Sequence, residues 1–172
     1  RFRNELETGI RRGIRQGEFV PFYEQQIDLE TGKLMGFEML ARWHSPQFGL
    51  VSPETFIPIA EEMEVIGELS EGLIRQALQD AQQWHPKLTL SVNISPIQLR
   101  DPWFAQKLLK MLFDSGFPAE RLEIEITESC LHENIAAVRA IVISLKNQGI
   151  RISLDDFGTG YSSLSQLRSL PF

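Results

Sequence analysis

Asp155 and Asp156 stand side by side where an apolar stretch, Ile150 to Leu154, gives way to the glycine-punctuated run FGTGYSSL. Neighbouring carboxylates repel, so such a pair sits in water or holds a cation. Three more oxygen-bearing residues occupy comparable places: Glu38 in GFEMLAR, Asn93 in LTLSVNI and Glu125 in LEIEI. Carboxylates with a carboxamide, free of thiolates and imidazoles, form the ligand set of a hard cation, which favours Mg2+, Mn2+ or Ca2+ over zinc. Asp155 and Asp156 together could serve two ions, an arrangement that polarises a phosphoryl oxygen and generates hydroxide at neutral pH.

Strand side chains alternate between faces, which sorts these residues. Leu88, Leu90 and Val92 form one face of their strand and leave Thr89, Ser91 and Asn93 on the other. Glu123 and Glu125 oppose Leu122, Ile124 and Ile126, while Arg151, Ser153 and Asp155 oppose Ile150, Ile152 and Leu154. Glu38, Leu40 and Arg42 share a face of a fourth strand. A shared lumen would bring Glu38, Asn93, Glu125 and Asp155 together near the carboxyl ends of their strands, where strand-helix folds place active sites.

Each residue also has a plainer reading. Asn93 alone is a strand-end hydrogen-bonding residue, Glu125 one half of an ion pair, and Glu38 an exposed position on an edge hairpin. Asp155-Asp156 alone is a helix N-cap before YSSLSQL. Convergence from four strands outweighs these separate readings. Asp156-Phe157-Gly158 matches the protein-kinase triplet, but no glycine-rich phosphate loop, paired strand lysine or HRD accompanies it. His44, His85 and His132 lack metal-ligand spacing.

The elements that must position the site alternate along the chain. An amphipathic entry helix carries five arginines within residues 1–19. Phe19 to Asp28 and Lys33 to Trp43 read as a hairpin around Glu30-Thr31-Gly32. Leu69, Leu73, Ile74, Ala77, Leu78, Ala81 and Trp84 then recur at helical spacing, and a strand follows from Leu88 to Ile94. Phe104, Leu108 and Leu112 mark the next helix, which ends at Ser115-Gly116 before the strand Leu122 to Ile126. A helix through Ile135, Val138, Ile141, Val142 and Leu145 stops at Gly149 and leads to the strand Ile150 to Leu154. This alternation predicts an α/β fold with parallel strands, as a sheet or a (β/α) barrel. Five strands are counted, too few to close an eight-stranded barrel.

Composition narrows the partners. The chain has 172 residues, 42% of them apolar, and reads as one domain with a substantial core. A formal net charge of -6 argues against a general affinity for DNA or RNA. The single cysteine, Cys130, rules out an intrachain disulfide and fits a reducing compartment. Neither a membrane span nor a secretory signal is recognised in the sequence.

Glu38-Met39-Leu40 with Arg42-Trp43, then Ser91-Val92-Asn93-Ile94-Ser95, then Glu123-Ile124-Glu125-Ile126-Thr127-Glu128-Ser129, then DDFGTGYSSL, in this order and spacing, resemble the EAL domain. That family comprises bacterial phosphodiesterases that linearise cyclic di-GMP to pGpG. The resemblance implies an EAL-type modified (β/α)8 TIM-like barrel in which the second strand runs antiparallel. It implies Mg2+ or Mn2+, two ions per site, held by Glu38, Asn93, Glu125, Asp155 and Asp156, with Ca2+ inhibitory or substituting; Glu38, Asp155 and Asp156 are its catalytic residues. Arg42 resembles the phosphate-gripping arginine, about 13 Å along the strand from Glu38, and Leu40 a substrate contact. Glu128, Gly158 and Gly160 resemble the residues that anchor the DFGTGYSS loop, a region implied to form a homodimer interface. Fusion to GGDEF or sensory domains and a cytoplasmic location, free or tethered to the inner membrane, are also implied.

Three departures accompany the resemblance. EML replaces EAL, at a position that alternates away from Glu38. Tyr23-Glu24-Gln25 replaces Tyr-Gln-Pro, which sets an extra carboxylate at Glu24 where a substrate contact is usual. Residues 1–172 correspond to the N-terminal portion of the domain, with about five of eight strands, and a family lysine and a further glutamate fall beyond Phe172. The expectation is hydrolysis by the intact domain and none by this portion alone; the alternative is an inactive EAL domain serving as a cyclic di-GMP receptor or interaction module.

Overall fold

The computed structural model describes residues 1–127 and 135–155, with Asp155 described by its backbone alone. Glu128, Cys130, His132, Asp156, Gly158 and Gly160, and the N-cap reading before YSSLSQL, lie outside the described residues.

Helix α1 (Phe2–Gln16) buries Leu6 and Ile10 and leads into strand β1 (Phe19–Ile27). The Asp28 carboxylate accepts from Glu30 N at 2.8 Å, and Gly32, at φ +70°, supplies the left-handed turn that starts β2 (Leu34–Ser45). A turn this short makes β1 and β2 antiparallel, with Phe22 opposite Leu40 and Glu24 opposite Glu38. The remaining elements are β3 (Gly49–Val51), α2 (Pro53–Glu62), α3 (Ile66–Ala81), β4 (Thr89–Asn93), α4 (Phe104–Ser115), β5 (Leu122–Thr127), α5 (Ile135–Asn147) and β6 (Arg151–Asp155).

The strands form one sheet in the order β1-β2-β4-β5-β6, with β3 on the end of β2. Pairing is parallel from β2 through β6, as crossover helices require. The fold is α/β, as expected, with two corrections. The strand running against the parallel set is the first, not the second: β2 is antiparallel only to its hairpin partners and parallel to β4. The described residues also hold six strands and an unpredicted helix, α2. Three residues of β3 are too short to show alternation, and Pro58 inside α2 interrupts its sequence pattern. Helix α2 starts nonetheless at a clear signal: Ser52 Oγ accepts from Glu54 N at 3.3 Å, with Pro53 in the first turn.

Alternation divides the sheet into two faces. Met39, Trp43, Leu90, Val92, Leu122, Ile124, Ile126 and Ile152 are buried on the helix-covered face. Leu73, Ile74, Ala77, Leu108, Val138 and Val142 meet them from α3, α4 and α5. Fully burying each large aliphatic side chain is worth about 1.5–3 kcal/mol, so this face holds the sheet while the opposite face can carry polar groups. Trp43 is the anchor for α1: its ring stacks on Phe19 at 5.1 Å, and its Nε1 donates to Glu18 Oε1 at 3.0 Å. A Cβ added to Gly9 would lie 3.2 Å from that ring, so the helix approaches it through a missing side chain.

Candidate functional site

Sheet register sets Glu38, Asn93, Glu125 and the backbone of Asp155 at different levels on neighbouring strands. Glu38 is level with Ser91 on β4, and Asn93 lies two residues further along that strand. Asn93 is level with Glu125 on β5, and Glu125 with Ser153 on β6; Asp155 is two residues further and level with Thr127. The set thus climbs four residues over three strand-to-strand steps, about 13 Å along the strands for about 14 Å across them. That slope, roughly 40°, is the tilt strands adopt in a closed barrel. Where strands tilt by this amount, a climbing set of positions becomes a ring at one height.

Asn93 Nδ2 donates to Glu38 Oε2 at 2.7 Å, joining two of the expected ligands directly. Glu38 and Glu125 are half-buried and Asn93 is exposed. One layer below, Ser91 Oγ donates to Gln26 Oε1 at 3.1 Å, and Ser153 Oγ to Glu123 Oε2 at 3.4 Å. The Gln26–Ser91 bond passes from β1 to β4 over β2, where Gly36 is level with both Gln26 and Thr89. A Cβ at Gly36 would lie 2.3 Å from Thr89 O, so only glycine permits that approach.

Above the ring stand Leu40 and Arg42. Arg42 Nη1 donates to Ala41 O at 2.9 Å, and its guanidinium lies over the Phe22 ring, 5.3 Å from the centroid. Leu40 joins Asn93, Ser95 and Thr127 in lining a cavity of about 390 Å³, closed on its far side by Ile57 of α2 and Leu73 of α3. Ser95 Oγ donates to Glu61 Oε2, which ties the loop after Asn93 to α2, while Gln98 Oε1 accepts from Ser95 N at 3.0 Å.

Among the described residues, Glu38, Asn93, Leu40 and Arg42 therefore occupy one face, with Glu125 level with Asn93 on the neighbouring strand. Their donor set, two carboxylates and a carboxamide, fits a hard divalent cation. No group of three His, Cys, Asp or Glu side chains among the described residues completes a metal site alone, which leaves Asp155 and Asp156 as the expected remainder. Sequence reasoning did not single out Phe22, Gln26, Glu61, Ser91 or Ser95 as site residues. Two signals were present: Phe22 and Gln26 share the parity of Glu24, and the Ser52-Pro53 cap announces α2.

Against known proteins, the model of the EAL domain matches residues 7–172. The chain belongs to the EAL domain family. The EAL chain is 41% identical over 172 residues to protein y4lL of Sinorhizobium fredii, covering all of this chain and 21% of that protein. It is 37% identical over 170 residues to the cyclic di-GMP phosphodiesterase PA2567 of Pseudomonas aeruginosa, covering 96% of this chain and 29% of that protein. The PaMucR phosphodiesterase, solved as a c-di-GMP complex, superposes with a TM-score of 0.91 at 31% identity, covering 97% of this chain and 69% of that one. The EAL chain thus spans less than a third of the length of these two curated relatives. Its β1-to-β6 sheet is part of an EAL-type barrel.

Proposed function

We propose that residues 1–172 are the N-terminal portion of a metal-dependent EAL phosphodiesterase domain that opens cyclic di-GMP to linear pGpG. The observation that carries this reading is the staggered register of Glu38, Asn93, Glu125 and Asp155, whose slope matches barrel tilt. Glu38, Asn93, Glu125 and Asp155, with Asp156, would hold the cation, and Mg2+ or Mn2+ bound there would supply Lewis-acid chemistry for phosphodiester hydrolysis. Arg42 binds the phosphate through its forked donors, a geometry that suits phosphate oxygens. Leu40 and the cavity beside it receive an apolar face of the nucleotide. Glu128, Gly158 and Gly160 anchor the loop that carries Asp156.

The parent protein is read as cytoplasmic in this domain, joined to GGDEF or sensory domains, and homodimeric through the DFGTGYSS region. Among the described residues, no helix is long and apolar enough to cross a membrane. The deciding experiment is hydrolysis of cyclic di-GMP by the full-length protein with Mg2+ or Mn2+, with pGpG resolved chromatographically. Wild type should turn over, and Glu38→Ala and Asp155→Ala should each lose at least a hundredfold in kcat. Tight cyclic di-GMP binding by the wild type without turnover would overturn the enzyme reading in favour of a receptor.

A further inference from the structure

We infer that Phe22 is a positioning residue for Arg42, holding its guanidinium at the rim above Glu38 in the orientation that receives a phosphate. The inference rests on the proposed phosphate role of Arg42. Phe22 is level with Leu40 on the antiparallel neighbour, and Arg42 lies two residues further along β2 on the same face. A diagonal cross-strand pair of this kind is within reach of one long and one aromatic side chain. The guanidinium lies 5.3 Å from the ring centroid, inside cation–π range.

Two contacts therefore hold the guanidinium. Ala41 O accepts from Nη1 at 2.9 Å, and the guanidinium carbon lies over the Phe22 ring. Backbone acceptance uses one of five N–H donors, and a cation–π contact uses none. The planar fork thus keeps donors for a bidentate acceptor while losing rotational freedom, and pre-organisation of this sort raises affinity by reducing what must be ordered on binding. The Phe22 ring is itself braced by His44, at a centroid distance of 5.9 Å. At 46% exposure it is a large apolar group that burial in the core does not account for.

The test measures binding of cyclic di-GMP to the full-length protein by calorimetry with divalent metal omitted, so that turnover plays no part. Phe22→Leu should weaken binding about two- to fivefold, the range set by loss of one exposed cation–π contact, and Phe22→Tyr should restore it. In an Arg42→Ala background, Phe22→Leu should add no further loss. A further loss there would mean that Phe22 contacts the ligand itself, which overturns the positioning role. Unchanged affinity in Phe22→Leu, with affinity reduced in Arg42→Ala, also overturns it while sparing the phosphate role of Arg42. Unchanged affinity in Arg42→Ala overturns the phosphate role and the inference with it. Phe22→Ile serves as the second variant should Phe22→Leu fail to fold.

Discussion

Asn93 donates to Glu38 at 2.7 Å although the two residues are not level partners; Ser91 holds that place. The amide spans the two-residue step of the stagger and holds the Glu38 carboxylate at the level of its own strand. Asn93→Asp removes the donor and sets two carboxylates against each other. Without divalent metal at pH 7, this variant should be less stable by about 1 kcal/mol, a fall of about 2–4 °C in midpoint. Added Mn2+ should raise its midpoint more than that of the wild type. Thermal unfolding in EDTA and in Mn2+ checks this, and equal midpoints in EDTA would remove the structural role assigned to the amide.

Glu24 and Glu38 face each other directly across the hairpin. Like charges at such positions destabilise a sheet by a few tenths of a kcal/mol when solvent reaches them. Glu24→Gln should therefore raise metal-free stability slightly at pH 7. The gain should vanish in high salt, which screens exposed charges. Urea titrations at low and high salt would show whether the repulsion is present.

Gly36→Ala brings a methyl group within 2.3 Å of the Thr89 backbone oxygen. Neither strand can yield without disturbing the Gln26–Ser91 bond and, two residues on, Glu38. A loss of about 1–3 kcal/mol is expected, with weaker Mn2+ binding. Chemical denaturation with calorimetric metal titration reads both effects; a stable variant with native metal affinity would show that β2 and β4 tolerate separation.

Tyr23 Oη donates to Asp80 Oδ2 at 2.5 Å, and burial, then this bond, raises the phenol well above its ordinary value. Because the folded value is raised, the associated stability is complete below about pH 10 and declines as pH rises from there toward the folded value. Wild type should exceed Tyr23→Phe by about 1 kcal/mol at pH 7. That advantage should shrink between about pH 10 and 11 as the unfolded chain ionises. Midpoints of the two proteins across this range decide it, and a constant gap would contradict the raised value.

The shared face of Glu38 and Asn93 was legible because alternation is local: Leu90 and Val92 alone assign Asn93 to the opposite side. Glycines placed the turn at Gly32 and the helix end at Gly116 for the same reason. The hydrogen bond from Asn93 to Glu38 was not legible, because it depends on inter-strand register, which strand composition does not specify. Phe22 beside Arg42 was hidden likewise, since the pairing of β1 with β2 brings them together over twenty residues of chain. Helix α2 went unseen because Pro58 obscured its pattern, and with it the Glu61–Ser95 tie.

On the proposed reading, the stagger of Glu38, Asn93, Glu125 and Asp155 has a consequence for assembly. If β4 and β5 paired one residue out of step, Glu125 would turn to the helix side and an isoleucine would face Asn93. A cation that requires both residues binds the correctly paired sheet and discriminates against its slipped competitors, and ligands stabilise the state they bind. The ion would then act as a proofreader of strand alignment during folding as well as a participant in chemistry.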